Sequence, residues 1–189
     1  MTVPFPTAKI AQSELLIQRY QQRSTSPYGG YSQTTDYGAS IAFSLTFVPQ
    51  TVDQAGELEA WLETEDDFYF SPPGYTFVTG KGTARINGAG QTGTSINSDG
   101  WTPVSSTVMR KGDWLQLGDQ LCRLRADLVS TSGSNGVIQL TRPLRVALAN
   151  NALIDYATPQ GLFRIRDAER TVSRVPLFSY VTVTIEEAI

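Results

Sequence analysis

Two stretches of apolar–polar alternation lie near opposite ends of the chain, and they constrain the fold more than any other feature. Residues 40–48 (SIAFSLTFV) set Ile41, Phe43, Leu45 and Phe47 against Ala42, Ser44 and Thr46. Residues 178–189 (FSYVTVTIEEAI) set Val181, Val183 and Ile185 against Thr182 and Thr184. A period of two marks a strand with one buried and one solvated face. Two such strands so far apart point to one lobe built from both ends of the chain, with a second lobe inserted between them.

Around these strands the chain changes character several times. Residues 10–23 alternate loosely and read as a further strand. Residues 24–39 (STSPYGGYSQTTDYGA) are small, polar and glycine-bearing, and read as a long loop. Tyr28, Tyr31 and Tyr37 lie in that loop as candidate contact residues, because a tyrosine ring brings area at small entropy cost. Thr51 and Gln54 fit a capping box that opens a helix, with Ala55, Leu58, Trp61 and Leu62 on its apolar stripe. Phe68-Tyr-Phe70 resumes a strand, and Pro72-Pro73-Gly74 breaks it.

From residue 76 short strands alternate with glycine-rich turns. Two Gly-Asp pairs, Gly112-Asp113 and Gly118-Asp119, flank Trp114-Leu-Gln-Leu117, and Gly133-Ser-Asn-Gly136 precedes Val137-Ile-Gln-Leu140. This spacing suits a small β-barrel or sandwich. The expected architecture is therefore mainly β with one clear α-helix. A β-sandwich lobe formed by 1–75 and 155–189 would carry an inserted small barrel at 76–154.

Composition narrows the chemistry. The 189 residues include no histidine and one cysteine, Cys122. Ser-His-Asp and Cys-His catalysis are thereby excluded, as are an intrachain disulfide and the usual zinc ligand sets. No phosphate-binding glycine loop opens a helix, and no EF-hand calcium loop is present. The acid pairs Asp66-Asp67 and Glu186-Glu187 are adjacent, so on a strand their side chains diverge. No enzyme activity, cofactor or metal is expected.

Charge is uneven. Residues 1–75 carry a net −6 and residues 76–189 a net +3. Six acids fall between Glu57 and Asp67, whereas arginines recur in the second part as 123/125, 142/145 and 164/166. These could pair within the chain, between copies, or with anionic partners. No stretch is long and apolar enough for a membrane helix, and MTVPFPTAKIAQ lacks a signal peptide's pattern. Synthesis in the cytoplasm is the expectation.

Residues 88–101 (GAGQTGTSINSDGW) and 109–117 (MRKGDWLQL) carry a recognisable pattern. The first contributes Gly88, Gln91, Gly93, Gly100 and Trp101, and the second contributes Gly112 and Asp113. With Pro143-Leu-Arg145 and a terminal Glu187-Ala188, the chain resembles siphophage distal tail proteins. That resemblance implies a virion structural protein of a long non-contractile tail, a hub component of the tail tip. It implies a tube-like lobe forming a hexameric ring, and a peripheral barrel of oligonucleotide/oligosaccharide-binding type. The partners implied are further copies of the chain, the tail tube, the tape-measure protein and tip or fibre proteins, with phage DNA passing unbound. Under this reading Ile41, Phe43, Phe47, Val181 and Val183 are candidates for the ring interface or lumen wall. Glu57, Glu63, Asp66 and Asp67 are candidates for a lumen that repels DNA. Two other readings stand beside it. One is a different tube or terminator ring. The other is a carbohydrate-binding module of an adhesion device that stacks sugar on Trp101, Trp114 or Tyr156.

Overall fold

The computed structural model describes residues 3–6, 8–25, 29–30, 32–64, 67–175 and 178–188. In chain order the first elements are strands β1 (Val3–Pro4), β2 (Ile10–Thr25) and β3 (Ser32–Phe47), helix α1 (Val52–Thr64) and β4 (Asp67–Phe70). Short strands follow: β5 (Gly82–Ile86), β6 (Gln91–Trp101), β7 (Thr107–Met109), β8 (Trp114–Leu117) and β9 (Gln120–Arg123). Next come β10 (Leu128–Val129), β11 (Gly136–Leu148) and β12 (Ile154–Asp155), and then the long β13 (Gly161–Val175) and β14 (Phe178–Glu187). Among the described residues the fold is mainly β with one α-helix.

The chain divides into two compact units. One contains Pro6–Asp67 and Arg164–Ala188, and the other contains residues 3–5 and Phe68–Phe163. Residues 68–75 and 155–163, expected with the terminal lobe, belong to the glycine-rich unit.

In the unit built from both chain ends, β3 lies between β14 and β2, antiparallel to each. The register sets Ile185 opposite Phe43 and Val183 opposite Leu45, and on the other face Thr182 opposite Thr46 and Thr184 opposite Ser44. The apolar face is the core of the unit: Phe43, Leu45, Phe47, Val181, Val183 and Ile185 are all buried. Helix α1 packs against β14, with Ala55, Leu58 and Leu62 buried. Its first turn is closed by the Gln54 amide oxygen, which accepts from the Thr51 N–H at 3.3 Å, one arm of the expected capping box.

The expected loop at 24–39 is mostly strand. β2 and β3 remain paired as far as Thr25–Ser32, and only the stretch around 26–31 connects them. Small polar residues there bury little apolar surface, which is why they read as a loop. A backbone ladder needs no such burial, only aligned N–H and C=O groups.

The second unit shares one core, formed by Ala84, Ile86, Ile96, Trp101, Leu115, Leu117, Ile138, Leu140 and their neighbours. Continuous ladders do not close the expected barrel. They form three sheets, β11-β6-β5, β12-β8-β9 and β10-β7. Single bridges join the larger two at two seams, Leu124–Leu140 and Arg85–Leu153. At the first seam Gln120 replaces a ladder. Its Oε1 accepts from Arg145 N–H at 2.8 Å, and its Nε2 donates to the Val146 carbonyl at 3.3 Å. Residues that break the β11 register near Pro143 are thus held to β9 by side chains. Beside this core Phe5 packs on Phe68 and Phe70, and Phe70 meets Phe163 edge-on.

Candidate functional site

The residues of the two glycine motifs fall in turns and in strand β6. Arg110 and Asp113 close a β-turn through the Asp113 N–H and Arg110 carbonyl at 3.1 Å, and Gly112, at φ 96°, holds its third position. That position needs positive φ, hence glycine. The Asp113 carboxylate then accepts from the Arg110 N–H at 2.8 Å, and Asp127 accepts from the Lys111 N–H at 2.7 Å. Gly118-Asp119 is the two-residue connection of the β8–β9 hairpin, in which Leu117 faces Gln120. Gln91 ties down the loop before β6: its amide nitrogen donates to the carbonyls of Asn87, Gly88 and Asn97 at 2.8–3.1 Å. Gly88 lies in that loop and donates its N–H to the Asn150 side chain at 2.8 Å. Gly93, in β6, pairs with Leu144 of β11.

The aromatic platform considered for sugar does not exist in this form. Trp101 is 0% exposed, Trp114 3% and Tyr156 7%, so none presents a ring face to a ligand. Trp101 donates its indole N–H to Ser98 at 2.8 Å and packs against Tyr156. Trp114 lies under the Arg123 guanidinium, 5.3 Å from its ring centre, and Tyr75 meets it edge-on. These rings went to the core because the unit is small and needs their area.

The arginine stripe is also engaged within the chain. Arg123 donates to the Gly112 carbonyl at 2.9 Å and Arg142 to the Leu121 carbonyl at 3.0 Å. Arg164 pairs with Asp67 at 3.4 Å, and Arg166 with Glu186 at 3.5 Å. Glu187 instead accepts from the Ile41 N–H at 3.3 Å, so the two adjacent acids serve different partners. Among the described residues no group of three or more metal-ligating side chains converges, and no helix is long and apolar enough to cross a membrane.

The apolar candidates for a lumen or interface need correcting. Ile41, Phe43, Phe47, Val181 and Val183 are buried in the single chain, so their side chains do not line a channel. Glu57 and Glu63 are exposed on α1, away from the buried helix stripe. Asp67 is tied to Arg164, and Asp66 lies outside the described residues. Tyr28 and Tyr31 lie outside them too. Tyr37 falls within β3, where the backbone alone is described.

The surface that the fold does offer is the opposite face of the β14-β3-β2 sheet. Cross-strand partners share a face, so the rows run Thr182, Thr46, Gln12; then Thr184, Ser44, Glu14; then Glu186, Ala42, Leu16. Thr46 and Thr182 approach through their hydroxyls at 3.4 Å. Gln12 and Glu14 are exposed and Ser44, Thr46 and Thr182 half-buried, whereas Thr184 and Ala42 are buried. The sequence marked these residues only as the polar half of the alternation. The same sheet ends at β2, a sixteen-residue edge strand with Ile17 59% exposed. Beside it a half-open groove of about 580 Å³ has an apolar floor of Leu58 and Trp61, with Lys9 and Glu57 on its walls.

Comparison with protein-family models finds no match, and comparison with curated proteins finds none either.

Proposed function

We propose that this chain is a structural ring subunit of a long non-contractile phage tail, at or near its distal end. The observation that carries the reading is the long edge of β2, which pairs on one side only among the described residues, on a sheet that exposes Gln12 and Glu14. An edge of sixteen residues is a template for another strand, and isolated proteins usually blunt such edges with lysine, proline or a bulge. β2 has no lysine or proline and leaves Ile17 exposed; its register with β3 shifts between Ile10 and Gln12 and between Arg19 and Gln21, leaving the stretch from Gln12 to Arg19 regular.

Copies joined by the β2 edge of one to a different surface of the next repeat that contact around a closed axis. The face opposite α1 would then line the opening. Its hydroxyls and amides, with Glu14 and with Glu186 paired to Arg166, offer no cationic row for phosphates. DNA would pass such a wall without the counterion release that makes it stick. The glycine-rich unit, with its own core, would carry contacts to neighbouring tail proteins. The resemblance of the two glycine motifs to distal tail proteins supports this place in the tail.

The test is sedimentation of the full chain beside an Ile17→Lys variant. Ile17 is exposed, so the variant keeps the fold while placing a charge on the edge. Assembly of the parent and loss of assembly in the variant, at unchanged melting temperature, are expected. Equal assembly in both would remove the edge from the account.

A further inference from the structure

One corner of the glycine-rich unit gathers cations that the fold leaves unused. The turn between β7 and β8 carries Arg110 and Lys111, and the chain at the end of β9 carries Arg123 and Arg125. Backbone bonds join the two stretches. The Gly112 N–H donates to the Leu124 carbonyl at 3.0 Å, and the Leu124 N–H to the Asp113 carbonyl at 2.9 Å. The Arg125 N–H donates to the Gln139 carbonyl at 2.7 Å, so the corner is also tied to β11. Residues 110–113 and 123–127 together hold four basic and two acidic side chains, a net +2.

Both acids of this corner are spent on the backbone: Asp113 accepts from the Arg110 N–H and Asp127 from the Lys111 N–H. Arg123 turns inward, donating to the Gly112 carbonyl and lying over the Trp114 ring. Arg110, Lys111 and Arg125 are exposed, and among the described residues no ion pair or hydrogen bond engages their side chains. Beyond Arg125 the chain packs along β11 as β10, and these two strands expose Val129 by 53% and Val137 by 48%.

We propose that this corner binds an acidic peptide segment of a partner protein, with carboxylates on Arg110, Lys111 and Arg125 and apolar side chains on Val129 and Val137. The free cations set the sign of the partner, and a guanidinium fork meets a carboxylate through two parallel bonds. The valines decide between a peptide and a phosphate polymer. A phosphate backbone has nothing to place on exposed methyl groups, whereas a peptide can alternate acids with apolar residues. Backbone bonds already hold the corner in place, so little order has to be imposed on binding. The proposal gives a chemistry to the contacts that the reading above places on this unit, and to that extent rests on it. Binding can be read on monomer and ring alike, so the two fail separately.

The test is fluorescence anisotropy of a short soluble peptide of glutamates with interspersed leucines, titrated with the full chain. Saturable binding that weakens as salt rises is expected. Lys111→Glu/Arg125→Glu should weaken it about tenfold at unchanged melting temperature, because both side chains are exposed. Val129→Thr/Val137→Thr should weaken it about threefold and leave a plain polyglutamate peptide unaffected. Lys9→Glu, at an exposed cation of the other unit, should change nothing. Equal binding by the parent and Lys111→Glu/Arg125→Glu overturns the proposal. So does tighter binding of polyphosphate or duplex DNA than of the peptide. Rings that form from a chain with no affinity for the peptide overturn this site and leave the ring standing.

Discussion

The Gln91 side chain pairs with the Asn97 peptide as a strand would, accepting from its N–H at 2.6 Å and donating to its carbonyl at 3.1 Å. The same amide nitrogen reaches Asn87 and Gly88, so one side chain fixes the whole turn before β6. Gln91→Ala leaves these backbone groups short of partners and should cost about 1–3 kcal/mol. Gln91→Glu should cost a similar amount, because a carboxylate has no N–H to give three carbonyls. Urea unfolding of the two variants checks both numbers.

Gly100 meets the β5 backbone so closely that a Cβ there would collide with the Thr83 carbonyl, and its φ is 77°. Gly100→Ala therefore suffers both overpacking and backbone strain, each about 1–3 kcal/mol. Gly56, on exposed α1 with open space around it, is the control. Gly56→Ala should stabilise by roughly 0.5–1 kcal/mol through helix propensity. Thermal unfolding of the pair should move in opposite directions.

These two sites show what the sequence makes legible. Glycines between short strands announce turns, and the turn at Gly112 and the hairpin at Gly118-Asp119 fall where the spacing puts them. The alternation at 40–48 and 178–186 likewise names the buried face correctly. It does not distinguish an interface or lumen from a core, and Phe43 and Val183 are buried in the single chain. The outer part of the β2–β3 ladder, out to Thr25–Ser32, is hidden in the sequence for the opposite reason: its stability lies in backbone pairing, which small polar residues do not advertise. Trp101 and Tyr156 fit a sugar platform as well as a core until burial decides.

Tyr69 donates to the Asp119 carboxylate at 2.6 Å, and this bond, with burial and the negative charge, raises its pKa above the usual 10.0. The folded state thus favours the neutral phenol. Its contribution is fully present below pH 10, the unfolded value, and is lost as pH rises through the higher folded value. Tyr69→Phe should flatten the fall in stability across this alkaline window, and denaturant midpoints from neutral to alkaline pH measure it.

On the proposed reading, the polar sheet face sets the behaviour toward DNA. The wild-type chain should show no retention on duplex DNA at physiological salt. Lysines in place of Thr46 and Thr182, half-buried neighbours on that face, should create retention that weakens as salt rises. Gel-shift titration across salt concentrations reads this, and retention of the wild-type chain itself would contradict a sliding wall.

Native mass spectrometry of the full chain, with negative-stain images of the same sample, tests the central claim most directly. A closed species of six copies, imaged as rings with an open centre, is the predicted result. A monomer whose mass does not change with concentration, and no rings in the images, would contradict it.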